Sequence, residues 1–441
     1  MSTASTATRF ASELRAICGA EYLVEDPELR PRDILGVVPA FAVTPGSPDE
    51  VVAVLRFANE HGLVVVPAGG FTQQHSGDLP PQVDVLLYTT RLTEVEHYDS
   101  GDLTIGIGAG CTVAQLSSKV AAHNLFFAAD PALPERCTVG GLLATGLYGP
   151  HRHGYGGLRD YCIGVRFVTG DARKAKGGGR VVKNVAGYDM MKLLIGSWGT
   201  LGVITSASFK LFPAPRQTRT FVSEFASAAE AIGFRNRVVH SPLDPVCLEL
   251  VSPEARGLTP GLGPGSSWSI CLRAAGSDTV LARYRSELGT TVAREIEGEN
   301  EHVLWQALSD FSHIVYERHP RSLLISMTLP LGDVQALLDE LAMVAQSHNL
   351  TLATVGRVGV GHLLAAMWPA AQAEVANYVD TVSTLRNRLP RDASMAVLHC
   401  PAEARQGIKT WASIPSHLES MRLVKNVLDA KDILNRGRFL F

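Results

Sequence analysis

Short strands and amphipathic helices alternate along this chain, a pattern set by where apolar runs meet capping residues. Ser47-Pro48-Asp49-Glu50 forms a capping box with proline at the first helical position, which predicts a helix reaching about Gly62. An apolar strand follows directly at 63–67. Residues 104–108 alternate as a strand does, and Thr112-Val113-Ala114-Gln115 caps a second helix ending near His123. Strands are expected again at 163–169 and 203–212, the latter stopped by Pro213 and Pro215. Those prolines, with the polar QTRT behind them, mark a domain boundary.

Beyond the boundary the glycine loops thin out. Strands are expected at 246–251, 267–272, 323–328, 351–357, 362–367 and 395–399, and helices at 279–288, near 302–311, at 332–348 and at about 372–389. This order predicts an antiparallel sheet with helices on one face, a cap over whatever the first half binds, and an α+β fold class. The expected division is 1–215, 216–420 and a closing segment 421–441.

Composition narrows the function classes. A chain of 441 residues is too long for one ordinary core. Forty basic against forty-three acidic residues leave no broad cationic field for nucleic acid or anionic lipid. The N-terminal residues lack a continuous apolar h-region, and no apolar run approaches the roughly 20 residues that span a bilayer, so a cytoplasmic location is expected, with membrane association only through a partner. Seven scattered cysteines without a CxxC argue against a disulfide framework, a zinc ribbon or an iron–sulfur site in this chain.

The chemistry concentrates in glycine-rich loops, above all GGGRVVKNVAGYDMMKLLIGSWGTLGVIT at 177–205, where backbone can approach a ligand closely. KNVAGYD followed by GSWGTLGVIT resembles the flavin-binding domain of the vanillyl-alcohol oxidase/PCMH family, and within it the FAD-binding subunits of bacterial glycolate oxidases. LVVVPAGGFTQQHSG at 63–77 is similar to that family's Pro-Arg-Gly-Gly-Gly-Thr turn, with Ala68 for the arginine and Phe71 for the third glycine. CTVGGLLATGLYGPHRHGYGGLRDYCIGVRFVTG at 137–170 is similar to its Thr-x-Gly-Gly loop and the strand beyond. The resemblance implies a two-subdomain PCMH-type fold that binds FAD through three loop groups. The first is Pro67, Ala68, Gly69, Gly70, Phe71, Thr72 and Gln73; the second is Pro131, Thr138, Gly140, Gly141, Thr145 and Gly149; the third is Lys183, Asn184, Gly187, Gly202, Val203 and Ile204. Thr72 stands where relatives with covalent flavin carry histidine, which implies dissociable, non-covalent FAD. The tail LVKNVLDAKDILNRGRF at 423–439 is similar to the family's closing segment, returning to the FAD domain.

The resemblance implies oxidation of a small 2-hydroxy acid to the 2-oxo acid, with electrons passing to an iron–sulfur partner subunit beside a homologous FAD subunit. Metal-dependent relatives carry His-x-Gly-Asp-Gly-Asn-x-His in the cap. The nearest stretch here has Arg357, Val360 and Leu364 at the first histidine, the aspartate and the second histidine, so no metal site is expected. Arg357 is either a partner for a substrate carboxylate or a packing residue of the cap. Tyr188 either orients a substrate hydroxyl beside the flavin or anchors a turn. His151 and His153 read as a basic loop rather than a metal pair, Arg159-Asp160 as an ion pair or turn clamp, and Trp198 as packing. Two other readings stay open: a non-catalytic electron-relay subunit of such an oxidase, and a stand-alone oxidase of an alcohol or sugar.

Overall fold

The computed structural model describes residues 3–25, 28–180, 188–370, 377–411 and 417–440. The first half builds two small sheets. In the first, Phe41–Val43 and Val65–Ala68 flank Val85–Tyr88 in parallel, and Leu23–Val24 closes one edge antiparallel. Pro48–His61 crosses between the two flanking strands. Its start is fixed by Ser47, whose side chain accepts from Glu50 N, and its end by Gly62 in the left-handed region. Val51, Val54, Leu55 and Ala58 fall on one face of that helix and are fully buried against the sheet.

The second sheet is antiparallel, in the order Val95–Asp99, Thr104–Gly108, Val203–Lys210, Cys162–Val168, Lys174–Gly178. Val203–Lys210 lies at its centre and is buried over nearly all its length. The expected capping box holds at Thr112 and Gln115, ahead of the helix Val113–Ala121.

Residues 217–399 form one eight-stranded antiparallel sheet, in the order Arg294–Ile296, Gln217–Phe225, Trp268–Gly276, Cys247–Val251, Leu350–Arg357, His362–Pro369, Leu323–Thr328, Ser394–His399. The polar segment that begins at Gln217 is therefore a full strand. Its Thr220 is buried and its hydroxyl donates to Glu301 Oε1 at 2.7 Å, so polarity there serves an internal network and not a linker.

Helices cover both faces of this sheet, which corrects the expectation of one. Ala228–Val239, Asp278–Leu288, Val334–Ser347 and Tyr378–Arg388 pack on Leu248, Leu250, Leu272 and Ile325. Gly298–Ser309 and Phe311–Arg318 pack on Cys247, Val251, Cys271 and Val355 of the opposite face. Burial on both sides removes the polar alternation that would have signalled a solvated face.

Near its end the chain returns to the first sheet. Val65 N donates to Ile433 O and Asn435 N to Val65 O, both at 2.8 Å. A buried ion pair locks this return: Lys425 Nζ lies 2.6 Å from Asp429 Oδ2 and also donates to Thr200 O and Leu434 O. Asp429 in turn accepts from the backbone of Ile433 and Leu434. Breaking such a pair leaves a buried charge alone. Lys425→Ala is therefore expected to destabilise the protein by about 3–5 kcal/mol, read from urea unfolding. A loss below about 1 kcal/mol would mean that water replaces the ammonium.

Candidate functional site

One cavity of about 1370 Å³, counting its open mouth, runs between the two small sheets and the eight-stranded sheet. Its floor begins where the strand Val65–Ala68 ends, and the chain turns through Gly69 and Gly70 against the residues that precede the helix Val139–Thr145. A Cβ at Gly69 would sit 1.9 Å from Thr138 Oγ1, and one at Gly70 would sit 1.6 Å from Arg136 O. No side chain is accommodated at either position, so these turns approach within backbone contact. Thr138 caps the helix by accepting from Gly141 N at 3.3 Å, and Thr145 Oγ1 donates to Gly141 O at 2.9 Å.

The cavity brings together Pro67 through Gln73, Pro131, Thr138, Gly140, Gly141, Thr145, Gly202, Val203, Ile204 and Arg357 from the residues singled out in the sequence. Gly149 does not line it. A Cβ there would lie 1.9 Å from Asp130 O, so this glycine lets the second loop pack behind Pro131. Tyr188 does not line the cavity either; it is 89% exposed, which removes both roles considered for it. Lys183, Asn184 and Gly187 lie outside the described residues.

His151 and His153 diverge: His151 Nδ1 lies 3.4 Å from Asp130 Oδ2, while the ring of His153 packs against Gly359. Among the described residues no three His, Cys, Asp or Glu side chains cluster as metal ligands would. Asp160 accepts from Gly157 N and Arg159 donates to Ile195 O, so this pair clamps turns separately. Trp198 packs edge-on against Trp411 and also borders the cavity.

On the cap side the decisive group is Arg357, only 2% exposed at the end of the strand Leu350–Arg357. It donates from Nη1 to His362 Nδ1 at 3.1 Å, and its guanidinium carbon lies 5.8 Å from the centre of the Tyr148 ring. Arginine has no acceptor, so His362 Nδ1 carries the lone pair and Nε2 carries the proton. Nε2 then donates to Ser326 Oγ at 3.0 Å, and the Ser326 hydroxyl hydrogen is free to point into the cavity that both residues line. Burial, then the Arg357 and Arg152 charges, hold His362 well below the ordinary imidazole range, so it is neutral. Arg152 stacks at 3.8 Å on the same Tyr148 ring.

Glu249 was not anticipated. It faces Arg357 in register across paired strands, is fully buried, and reaches Arg357 Nε only at 4.0 Å. Neither carboxyl oxygen has a hydrogen-bond partner among the described residues. Burial pushes its carboxyl up to about 8, Arg357 opposing and Asp130 adding to the rise. A single acid inside the apolar run VCLELV was the signal available in the sequence. Tyr148, Ser326, His362 and Arg438, which line the cavity, carried no spacing that would have marked them.

Residues 39–175 match the FAD binding domain family. A D-lactate dehydrogenase of Archaeoglobus fulgidus is 36% identical over 213 residues, 48% of this chain and 47% of that enzyme, so the match spans about half the length of this relative. The glycolate oxidase subunit GlcD of Bacillus subtilis is 21% identical over 421 residues, 91% of this chain and 89% of that one. Among solved structures, p-cresol methylhydroxylase with substrate bound shares the fold with a TM-score of 0.77 at 15% identity, over 99% of this chain and 97% of that one.

The burial of Glu249 has a consequence for stability. Folded, its carboxyl holds a proton up to about pH 8, whereas the unfolded chain releases it near the ordinary carboxylate value. The unfolded state therefore binds fewer protons in that window, and stability falls as pH rises from about 5 to 8. Glu249→Gln removes this contribution. The unfolding free energy of the parent minus that of the variant is expected to decline by roughly 1.4 kcal/mol per pH unit there. A difference that stays flat from pH 5 to 8 would show that Glu249 is ionised when folded.

Proposed function

We propose, for a chain that belongs to the PCMH-type FAD flavoproteins and is an FAD-dependent oxidoreductase, that its substrate is a small 2-hydroxy acid held by its carboxylate on Arg357. The observation that carries this is the near-complete burial of Arg357 in the cavity wall, with a carboxylic acid opposite it that burial keeps neutral at pH 7. With Glu249 uncharged, Arg357 presents an unbalanced positive charge to a ligand carboxylate.

The donor set suits FAD. Gly69 and Gly70 pack on residues 136–138 with no room for a Cβ, and the backbone N–H groups of the turn they open would cradle a diphosphate. Pro67 through Gln73, Thr138, Gly140, Gly141, Thr145, Gly202, Val203 and Ile204 would border the cofactor. Bound flavin supplies the hydride acceptor. The chain's own residues bind and orient the substrate: Arg357 fixes the carboxylate, His362 fixes Arg357, and Ser326 Oγ, held by His362 Nε2, offers a hydroxyl to the substrate oxygen. The apolar Leu324, Leu364 and Leu398 line the same wall and favour a small substrate side chain.

The product is the 2-oxo acid, and the electrons leave to a partner, an iron–sulfur subunit beside a second FAD subunit. The match to a protein named as one subunit of glycolate oxidase supports an assembly of this kind. A second reading, an electron-relay subunit without its own substrate, is favoured by Arg357, Val360 and Leu364 at positions where the metal-dependent relatives carry ligands.

Anaerobic mixing of FAD-loaded protein with glycolate or either lactate enantiomer is expected to bleach the visible flavin band. Bleaching by dithionite alone would favour the relay reading. Arg357→Gln is expected to raise KM for the acid by roughly 30-fold or more while flavin content stays unchanged. An unaltered KM would remove Arg357 from substrate binding. Gly70→Ala should give protein purified with little flavin, because its new methyl collides with backbone; retention of a full complement would exclude this turn from the cofactor site.

A further inference from the structure

Among the described residues two side chains that are cationic at neutral pH line the cavity, Arg357 and Arg438. Arg357 has Glu249 across the strand, held neutral by burial, and is already assigned to the substrate carboxylate. Arg438, 3% exposed, has no acid partner among the described residues. Its acceptors are Gln74 Oε1 at 2.8 Å, Gln74 O at 2.9 Å and Ser76 O, all neutral, and its Nε has no hydrogen-bond partner among the described residues. The charged group that bears on it is Arg405, of the same sign. Burial lowers its guanidinium only to about 10, so the charge persists at neutral pH.

A buried charge left unbalanced is costly, and the other buried cations of this chain show the usual remedy. Lys425 has Asp429 at 2.6 Å and Arg256 has Glu224 at 3.0 Å, and the half-buried Arg273 has Glu301 at 3.3 Å. Arg235 is held by the carbonyls of Val358 and Leu331, as Arg438 is by its own acceptors, but it does not face the cavity. Among the described residues Arg438 is thus, beside Arg357, an unbalanced cation of the cavity wall.

Its position matters as much as its charge. The turn after Val65–Ala68 contains no lysine or arginine anywhere in 63–77, so the backbone there offers only neutral donors to a doubly charged diphosphate. Arg438 is bonded to the far end of this same turn, and the segment that carries it is paired with Val65 through Ile433 and Asn435. A Cβ at Gly77 would lie 2.9 Å from Arg438 O, so the two segments are in backbone contact.

We propose that Arg438 supplies the positive charge that balances the FAD diphosphate, donated in trans to the turn by the returning segment. It rests on 63–77 being the diphosphate turn, which Gly70→Ala tests separately. The alternative role, a clamp on residues 74–76, needs the forked geometry of arginine and not its charge.

Charge-preserving and charge-removing variants separate these. FAD titrated into apo-protein, read by quenching of flavin fluorescence, is expected to bind roughly 10- to 100-fold more weakly to Arg438→Gln and within about threefold of the parent to Arg438→Lys. Inorganic pyrophosphate is expected to raise the melting temperature of the parent and of Arg438→Lys, but not of Arg438→Gln. Equal losses in the two variants, parental FAD affinity in Arg438→Gln, or pyrophosphate protection surviving in it would each overturn the assignment. Should Arg438→Gln not fold, Arg438→Lys decides alone: parental affinity and pyrophosphate protection support the charge, and their loss refutes it.

Discussion

The close approach of the Gly69-Gly70 turn to residues 136–138 governs the rest of the molecule. At Gly70 the backbone meets the Arg136 carbonyl with no side chain between them, and at Gly69 the Thr138 hydroxyl fills the place of a methyl group. That contact joins the parallel sheet to the helix Val139–Thr145, and through it to the antiparallel sheet behind. The cavity is the space this joint leaves open. Its far wall is the exposed part of an eight-stranded sheet whose second face is shared between a helix pair and the cavity itself.

That wall is polar only where strands bring isolated polar residues into line. Glu249 and Arg357 meet because their strands pair in register, and His362 joins them because the next strand pairs with Arg357 directly. The order of protons follows from arginine being a donor alone: it fixes the tautomer of His362, which fixes the orientation of Ser326. Three hydrogen-bond roles are thus set by one residue. Such chains hold a ligand group in place without reorganisation when it arrives.

Local signals in the sequence carried the fold well where they were strong. The Ser47 cap, the Thr112 capping box and the strand Leu323–Thr328 stand where apolar periodicity and capping residues put them. The strand Gln217–Phe225 was obscured because its polar residues satisfy Glu301 and Arg273 inside the protein. The glycine turns that line the cavity were legible because backbone approach demands glycine. Arg357 was visible as a cation in a motif. Glu249 and Ser326 were not, since their roles arise from register between strands far apart in sequence, and Tyr148 was not, since it reaches Arg357 and Arg152 from a loop. Tyr188 misled for a different reason: its word is conspicuous, but its side chain faces solvent.

The returning C-terminal segment bears on the order in which this protein is made. The turn that floors the cavity is held at one end by Arg438, 362 residues later in the chain, and Asp78 beside it accepts from Thr410, 332 residues later. Contacts of such separation form late, because the intervening chain must close first, and in this case that chain includes a whole eight-stranded sheet. The cavity floor cannot take its final shape on a ribosome-bound fragment that lacks residues 425–438. The cavity is thereby left unfinished until the cap has been synthesised and folded, so a truncated chain would lack its floor.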